Sequence, residues 1–287
     1  MVEYILGNFL VERGKISKDQ LSATLEQMNG VRVKLGLIAV SEGFMTTEQA
    51  DTVNRLQTIC DKRFGDIAVE KGYLTDDQVG KLLKQQGNSF FMFTQTLVDM
   101  GLVEMEEIDG IIETFRKVKG FSYAEMEDIK SDEVERIVPL LVNDEAKDFQ
   151  ELAGVAIRSL VRLIDRRVHL GKAQIVSKVQ MAANVTQELA GEHGMAVTLA
   201  ESDGGLLTIC SVFGQEEFEK VDEDALDAAG EFLNCMNGLF VSARSRDGQF
   251  LELMPPIFSP DGREVEGRIC KIPIYIQDKE FYLVVAE

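Results

Sequence analysis

Two hydrophobic patterns succeed one another along the chain. Up to about residue 120, apolar positions recur at helical spacing in short blocks punctuated by glycine. Gly7, Gly36 and Gly65 stand 29 residues apart, and the next step falls on Thr94. A second series, Gly14, Gly43, Gly72 and Gly101, keeps that period and follows the first by seven residues. Between the two lie the apolar pairs Leu10-Val11, Ala39-Val40, Ala68-Val69 and Leu97-Val98. After each second glycine come two mostly apolar residues and then Ser17, Thr46 or Thr75, with Glu104 in the fourth unit. Each unit is expected to form two helices. The second glycine closes the first helix by taking the left-handed conformation. The hydroxyl then caps the next helix by accepting from an unpaired backbone N–H. Leu21, Leu25 and Met28 share one face of such a helix, as do Val79, Leu82, Leu83 and Gln86. No proline precedes Pro139, which suits an uninterrupted helical array. One unit cannot bury its apolar stripe alone, so the four are expected to stack.

Periodicity stops near Gly120. Glu125 to Glu135 is rich in acidic residues, and Pro139 interrupts the apolar run Ile137 to Val142, so residues 121–144 are expected to be a solvated linker. Helical spacing resumes from Asp144 to Arg167, where Phe149, Leu152, Ala153, Ala156, Ile157, Leu160 and Ile164 form a stripe. Strands are predicted from Gln174 to Met181 and Met195 to Ala200. The turn Asp203-Gly204-Gly205 is expected to lead into a strand over Leu206 to Phe213, making a hairpin. A helix is predicted from Asp222 to Val241, and strands from Phe250 to Leu253, Glu266 to Ile276 and Glu280 to Val285. The expected organisation is an all-α repeat domain over 1–120, a linker over 121–144, and an α+β domain over 145–287 with long helices on a mostly antiparallel sheet.

Composition narrows the function classes. A net charge of −19 argues against DNA or RNA, whose phosphates call for clustered Lys and Arg. No apolar run is long enough to span a bilayer, and the start of the chain lacks the basic flank and apolar stretch of a signal peptide, so a cytoplasmic location is expected. Cys60, Cys210, Cys235 and Cys270 are scattered without a Cys-x-x-Cys pair, as expected of reduced, mostly packed thiols. Only His169 and His193 are present, neither beside a cysteine. Neither a zinc-site pattern nor a Gly-x-Ser-x-Gly nucleophile motif appears, and no metal or cofactor of the chain's own is expected.

Over about residues 5 to 115 the repeat resembles the N-terminal domain of the MshE type of secretion and pilus ATPases. That family's motif opens on Arg-Leu-Gly and closes on a helix ending in Gln, and two consecutive copies wrap one cyclic di-GMP. Unit three fits it with Arg63-Phe64-Gly65 and Gln86, and unit two with Lys34-Leu35-Gly36 and Gln57. Lys in place of Arg loses the planar bidentate fork. Unit one has Ile5 and Met28, and unit four Met92 and Phe115, at the contact positions. The resemblance therefore implies a nucleotide site from units two and three alone. A helical scaffold or protein-docking module stands beside it as the other reading.

The stretch most informative about chemistry is Gly230-Glu231-Phe232-Leu233-Asn234 with Gly238 behind it, inside the predicted helix over 222–241. Residues three apart on a helix share a face, so Glu231 and Asn234 can enter one partner cleft together. Glu-x-x-Asn in a long helix, the turn Met254-Pro255-Pro256 and the closing Ile272-Pro273-Ile274 and Phe281 to Val284 resemble the CheX branch of the CheC, CheX and FliY chemotaxis phosphatases. The resemblance implies hydrolysis of the aspartyl phosphate of a CheY-like receiver. Glu231 would pair with the receiver's lysine and Asn234 would orient a water, with the divalent metal supplied by the receiver. It also implies a homodimer. Such catalysis is mostly positioning and needs no base or nucleophile from this chain. Phe232 and Leu233 add bulk between the pair, Cys235 is expected to be packed, and Asn237 to contact a partner or help end a turn before Gly238. The competing reading is a non-enzymatic adaptor linking a receiver or motility machinery to a cyclic di-GMP or protein signal. Burial of Glu231 and Asn234 would favour it.

Overall fold

The computed structural model describes residues 1–28, 30–60 and 62–287, without the side chains of Thr58 and Cys60. The chain forms two compact units, Met1–Asp132 and Glu133–Glu287. No described helix is long and apolar enough to cross a membrane.

The first unit is all helical. Its elements are α1 (Val2–Glu12), α2 (Lys18–Gln27), α3 (Leu35–Ser41), α4 (Thr47–Cys60), α5 (Phe64–Glu70), α6 (Asp76–Gln85), α7 (Ser89–Asp99), α8 (Ile108–Lys119) and α9 (Tyr123–Ser131). Gly14, Gly43, Gly72 and Gly101 all have φ between 65 and 70°, the left-handed conformation in which only glycine escapes a Cβ clash. The helices that follow are capped as their residue types dictate. Ser17, Thr46 and Thr75 each accept from the backbone N–H three residues on, and Gln20, Gln49 and Gln78 reach back to the capping residue's own N–H. Leu10, Ala39, Ala68 and Leu97 are all buried. Phe9 meets Phe115 edge-on at 5.1 Å. On α6 only Leu82 is buried, whereas Leu83 is exposed rather than part of the packed face.

In the second unit, α10 (Val134–Leu141) and a 3-10 turn (Asp144–Phe149) lead into α11 (Gln150–Leu163). The strands are β1 (Val168–Leu170), β2 (Gln174–Met181), β3 (Asn184–Ala190), β4 (Met195–Glu201), β5 (Glu252–Leu253), β6 (Ile257–Ser259), β7 (Arg263–Ile276) and β8 (Lys279–Ala286). They form one antiparallel sheet in the order β1-β7-β8-β4-β3-β5, with β2 also on β7 and β6 also on β3. Two helices lie between β4 and β5, α12 (Gly205–Gly214) and α13 (Glu223–Arg246). α12 packs on β4 and β8, α13 on β3, β5 and β6, and α11 on α13 and β1. The core between helices and sheet holds Leu152, Phe232, Phe240, Phe281 and Leu283, each at most 1% exposed.

Four expectations are corrected. Residues 121–144 are not a solvated linker, because α9 and α10 occupy most of that stretch. Their charges sit on outer faces while Met126, Ile129, Ile137 and Val138 are buried, and Ser122 caps α9 through Glu125. Leu206 to Phe213 is a helix, not the second strand of a hairpin. The Glu201 carboxylate accepts from the backbone N–H groups of Ser202, Gly204 and Leu207, which fixes the N-terminus of α12. Leu206, Ile209 and Cys210 are buried at helical spacing. Finally, β1, β3 and β6 are additional strands, and α11 ends at Leu163 rather than Arg167.

Gly205 brings α12 against β8. A Cβ there would lie 2.6 Å from the carbonyl carbon and oxygen of Glu280. Backbone cannot step aside as a flexible side chain can, so Gly205→Ala is expected to lower stability by about 1–3 kcal/mol. The measurement is the urea midpoint, and an unchanged midpoint would contradict the close approach.

Candidate functional site

The site is built on α13. Asp222 starts this helix by accepting from the Ala225 N–H at 3.2 Å, and Glu223 and Asp224 complement the positive end of its dipole. One face of α13 is core: Ala225, Leu226, Ala229, Phe232, Leu233, Met236 and Phe240 are all fully buried. The opposite face carries Asp227, Glu231 and Asn234, all exposed. Phe232 and Leu233 therefore point inward and place no bulk between Glu231 and Asn234.

Gly230 brings a second element beside that ridge. A Cβ at this position would lie 2.9 Å from the Phe258 ring and 3.5 Å from Pro256 Cβ. Its absence lets the turn Met254-Pro255-Pro256 settle against the helix. Between turn and helix lies an open depression of about 360 Å³, whose polar lining is Asp227, Glu231, Asn234 and Gln187. The apolar rim is Leu253, Met254, Pro255, Pro256 and Phe258. No Lys or Arg lines it, so the depression is acidic and favours a cation. Beside it, Met254 and Ile257 are 39% and 55% exposed.

Asn234 is held from below. Gln187 on β3 donates from Nε2 to Asn234 Oδ1 at 2.8 Å and to the Met254 carbonyl at 2.9 Å. Asn237 donates from Nδ2 to Gln187 Oε1 at 2.9 Å. Asn237 is thus wholly buried in mid-helix, and neither contacts a partner nor ends a turn. Gln187 and Asp227 belong to the site although sequence reasoning passed over both. Asp227 was legible as the residue one turn before Glu231 on the same face. Gln187 was signalled only by a polar residue between Val185 and Leu189 in a period-two pattern.

The thiols divide by burial. Cys235 is exposed, against the expectation that it packs, because it sits on the outer face beside Asn234. Cys210 and Cys270 are buried, and burial pushes both thiols up to about 12. The Cys60 side chain lies outside the described residues. Since the thiolate is the reactive form, a thiol reagent at neutral pH is expected to modify Cys235 and spare Cys210 and Cys270 until the protein unfolds. Peptide mapping by mass spectrometry checks this, and equal labelling of Cys210 and Cys235 in the native protein would contradict it.

The candidate nucleotide residues of the first unit fall into two groups. Lys34 precedes α3, with its N–H on Gln95 Oε1 at 3.3 Å and its ammonium 2.9 Å from Asp99. Gln86 donates to the Val33 carbonyl at 2.6 Å, and the Phe64 ring covers Gly36, 3.1 Å from where a Cβ would be. Gln86 therefore reaches the start of the Lys34-Leu35-Gly36 segment, and Phe64 packs on its glycine. Gln57 instead donates to the Lys62 carbonyl, next to Arg63, which is exposed and pairs with Asp66 at 3.1 Å. Gly65 faces Val79, 2.8 Å from the Cβ position. Side chains of the protein itself thus occupy the open sides of Gly36 and Gly65.

No family model matches the chain, and neither does any curated protein. Among solved structures, the chain is similar to a chemotaxis protein CheX from Desulfovibrio desulfuricans, at 14% identity over 49% of this chain and 98% of that one, with a TM-score of 0.42. A CheX from Vibrio vulnificus is similar at 17% identity over 47% and 95%, with a TM-score of 0.41. The CheX–CheY–BeF3–Mg complex from Borrelia burgdorferi is similar at 18% identity over 48% and 94%, with a TM-score of 0.41.

Proposed function

We propose that the second unit hydrolyses the aspartyl phosphate of a CheY-like receiver domain. The observation that carries this reading is the exposure of Glu231 and Asn234 on one turn of α13, beside an open acidic depression. A carboxylate and a carboxamide on one exposed ridge are suited to pairing with a cation and orienting a water, which fits a site that works on chemistry a second molecule brings. An aspartyl phosphate beside a lysine and a divalent metal is such chemistry. Glu231 pairs with the receiver's lysine and fixes the pose. Asn234 hydrogen-bonds the water that attacks phosphorus in line with the departing aspartate oxygen. The exposed Met254, Pro255 and Ile257 give the docked receiver an apolar contact around that charged centre.

In the same proposal the first unit senses a signal or docks a partner. Cyclic di-GMP is its candidate ligand, through Lys34, Leu35, Gly36, Gln57, Arg63, Phe64, Gly65 and Gln86, and the second unit pairs as a homodimer. The test of the phosphatase is loss of phosphate from a purified phosphorylated receiver with and without the chain. Loss faster than spontaneous hydrolysis is expected. The spontaneous rate for every receiver tried would leave the adaptor reading in its place.

A further inference from the structure

We infer that Gln187 is a positioning residue that fixes which end of the Asn234 carboxamide faces the partner, an inference that rests on the phosphatase reading of Asn234. The two ends of a carboxamide are alike in shape and opposite in chemistry, one accepting and the other donating hydrogen bonds. A water-orienting amide free to turn over would present the wrong end part of the time.

The polarity here is set from the backbone. Gln187 is 1% exposed, and one of its amide atoms lies 2.9 Å from the Met254 carbonyl. A carbonyl only accepts, so that atom is Nε2. Its second hydrogen goes to Asn234 at 2.8 Å, and the facing atom of Asn234 is therefore Oδ1. On the far side, Gln187 Oε1 faces Asn237 at 2.9 Å, which obliges Asn237 to present Nδ2. All three amides take their orientation from one carbonyl in the Met254-Pro255-Pro256 turn. Turning Asn234 over would set N–H against N–H at a buried atom and lose a hydrogen bond there.

Nδ2 of Asn234 is consequently the end left for the depression. It can donate to one lone pair of a water and leave the other lone pair for phosphorus. Because the anchoring carbonyl belongs to the turn that rims the depression, the docking surface and the amide orientation are one hydrogen-bonded structure.

The test uses the full chain with Gln187→Met, which keeps length and removes the hydrogen bonds, and Gln187→Glu, which accepts where Gln187 donates. Steady-state dephosphorylation of a phosphorylated receiver gives kcat and KM, and NMR follows the side-chain amides of residues 187 and 234 in the free protein. Gln187→Met is expected to lower kcat by about 10–100-fold with KM within about twofold, since misplacing a group while binding persists costs turnover. In the wild type the Gln187 side-chain amide should exchange slowly with solvent, and the Asn234 amide resonances should shift in both variants. Full kcat in a folded Gln187→Met, with Asn234→Ala impaired, would overturn the inference and leave the phosphatase standing. A wild type without phosphatase activity would sink the functional reading, and the NMR arm would then decide the orientation by itself. Fast exchange of the Gln187 amide in the wild type overturns the inference even if neither variant folds.

Discussion

Asn234→Ala is expected to lower kcat for receiver dephosphorylation by about 10²–10³-fold while leaving KM nearly unchanged, an effect of the size seen when one transition-state hydrogen-bonding group is removed. The split follows from where Asn234 acts. In the proposed mechanism its carboxamide meets the attacking water, a contact that matters as the bond to phosphorus forms, so removing it should raise the barrier without weakening the docked complex. The fold should tolerate the change. Asn234 is exposed, and the Gln187 hydrogen it releases, 2.8 Å away, becomes accessible to water at the floor of the depression. Glu231→Ala should divide differently. Glu231 has no hydrogen bond or ion pair among the described residues, and the proposal assigns it to the partner, where a carboxylate paired with a lysine would steer and hold the complex. KM should rise as well as kcat fall. Steady-state kinetics with one receiver separates the two, and wild-type kcat in Asn234→Ala would contradict the assignment.

The second large effect is on stability. Phe232→Ala is expected to cost about 3–5 kcal/mol, the range for deleting a fully buried ring and leaving a cavity. Phe232 is 0% exposed and meets Phe213 edge-on at 5.6 Å, so α13 loses one of its contacts with α12 as well. The denaturant midpoint should fall with an unchanged slope. Folded Phe232→Ala should still turn over the receiver, because the ring faces away from Glu231 and Asn234. A loss below about 1 kcal/mol would place the ring outside the core and undo the assignment of the two faces of α13.

The legible part of this site was the part written in local spacing. The helix over 222–241 and the capped helices that begin after Ser17, Thr46 and Thr75 follow from local spacing, whereas the pair Glu231 and Asn234 stood out through the resemblance of Glu-x-x-Asn, with helical period adding only that the two share a face. What escaped is set by distant contacts. β3 runs Asn184-Val-Thr-Gln-Glu-Leu-Ala190, and its polar residues hide the strand. Most of them are buried because both sides are covered: Thr186 bonds Thr198 across the sheet at 2.7 Å, while Gln187 turns to α13. α12 was misread because its β-branched and aromatic residues favour a strand, a preference overridden by the Glu201 carboxylate at its N-terminus and the sheet beneath it. The acidic stretch 125–135 looked solvated because charge is counted by composition, whereas Met126 and Ile129 are buried at a three-residue spacing. Gln187 and Asn234 are 47 residues apart, and no local rule joins them.

Turnover separates a phosphatase from an adaptor, since an adaptor can change a receiver's phosphate lifetime only by staying bound to it. With the chain at about one-hundredth of the phosphorylated receiver's concentration, a phosphatase releases phosphate from the whole receiver pool at a rate proportional to chain added, the amplification that distinguishes catalysis from stoichiometric binding. Complete release is expected with the wild type, and the spontaneous time course with Asn234→Ala. Release that stops after one equivalent per chain, or runs equally fast with Asn234→Ala, would contradict it.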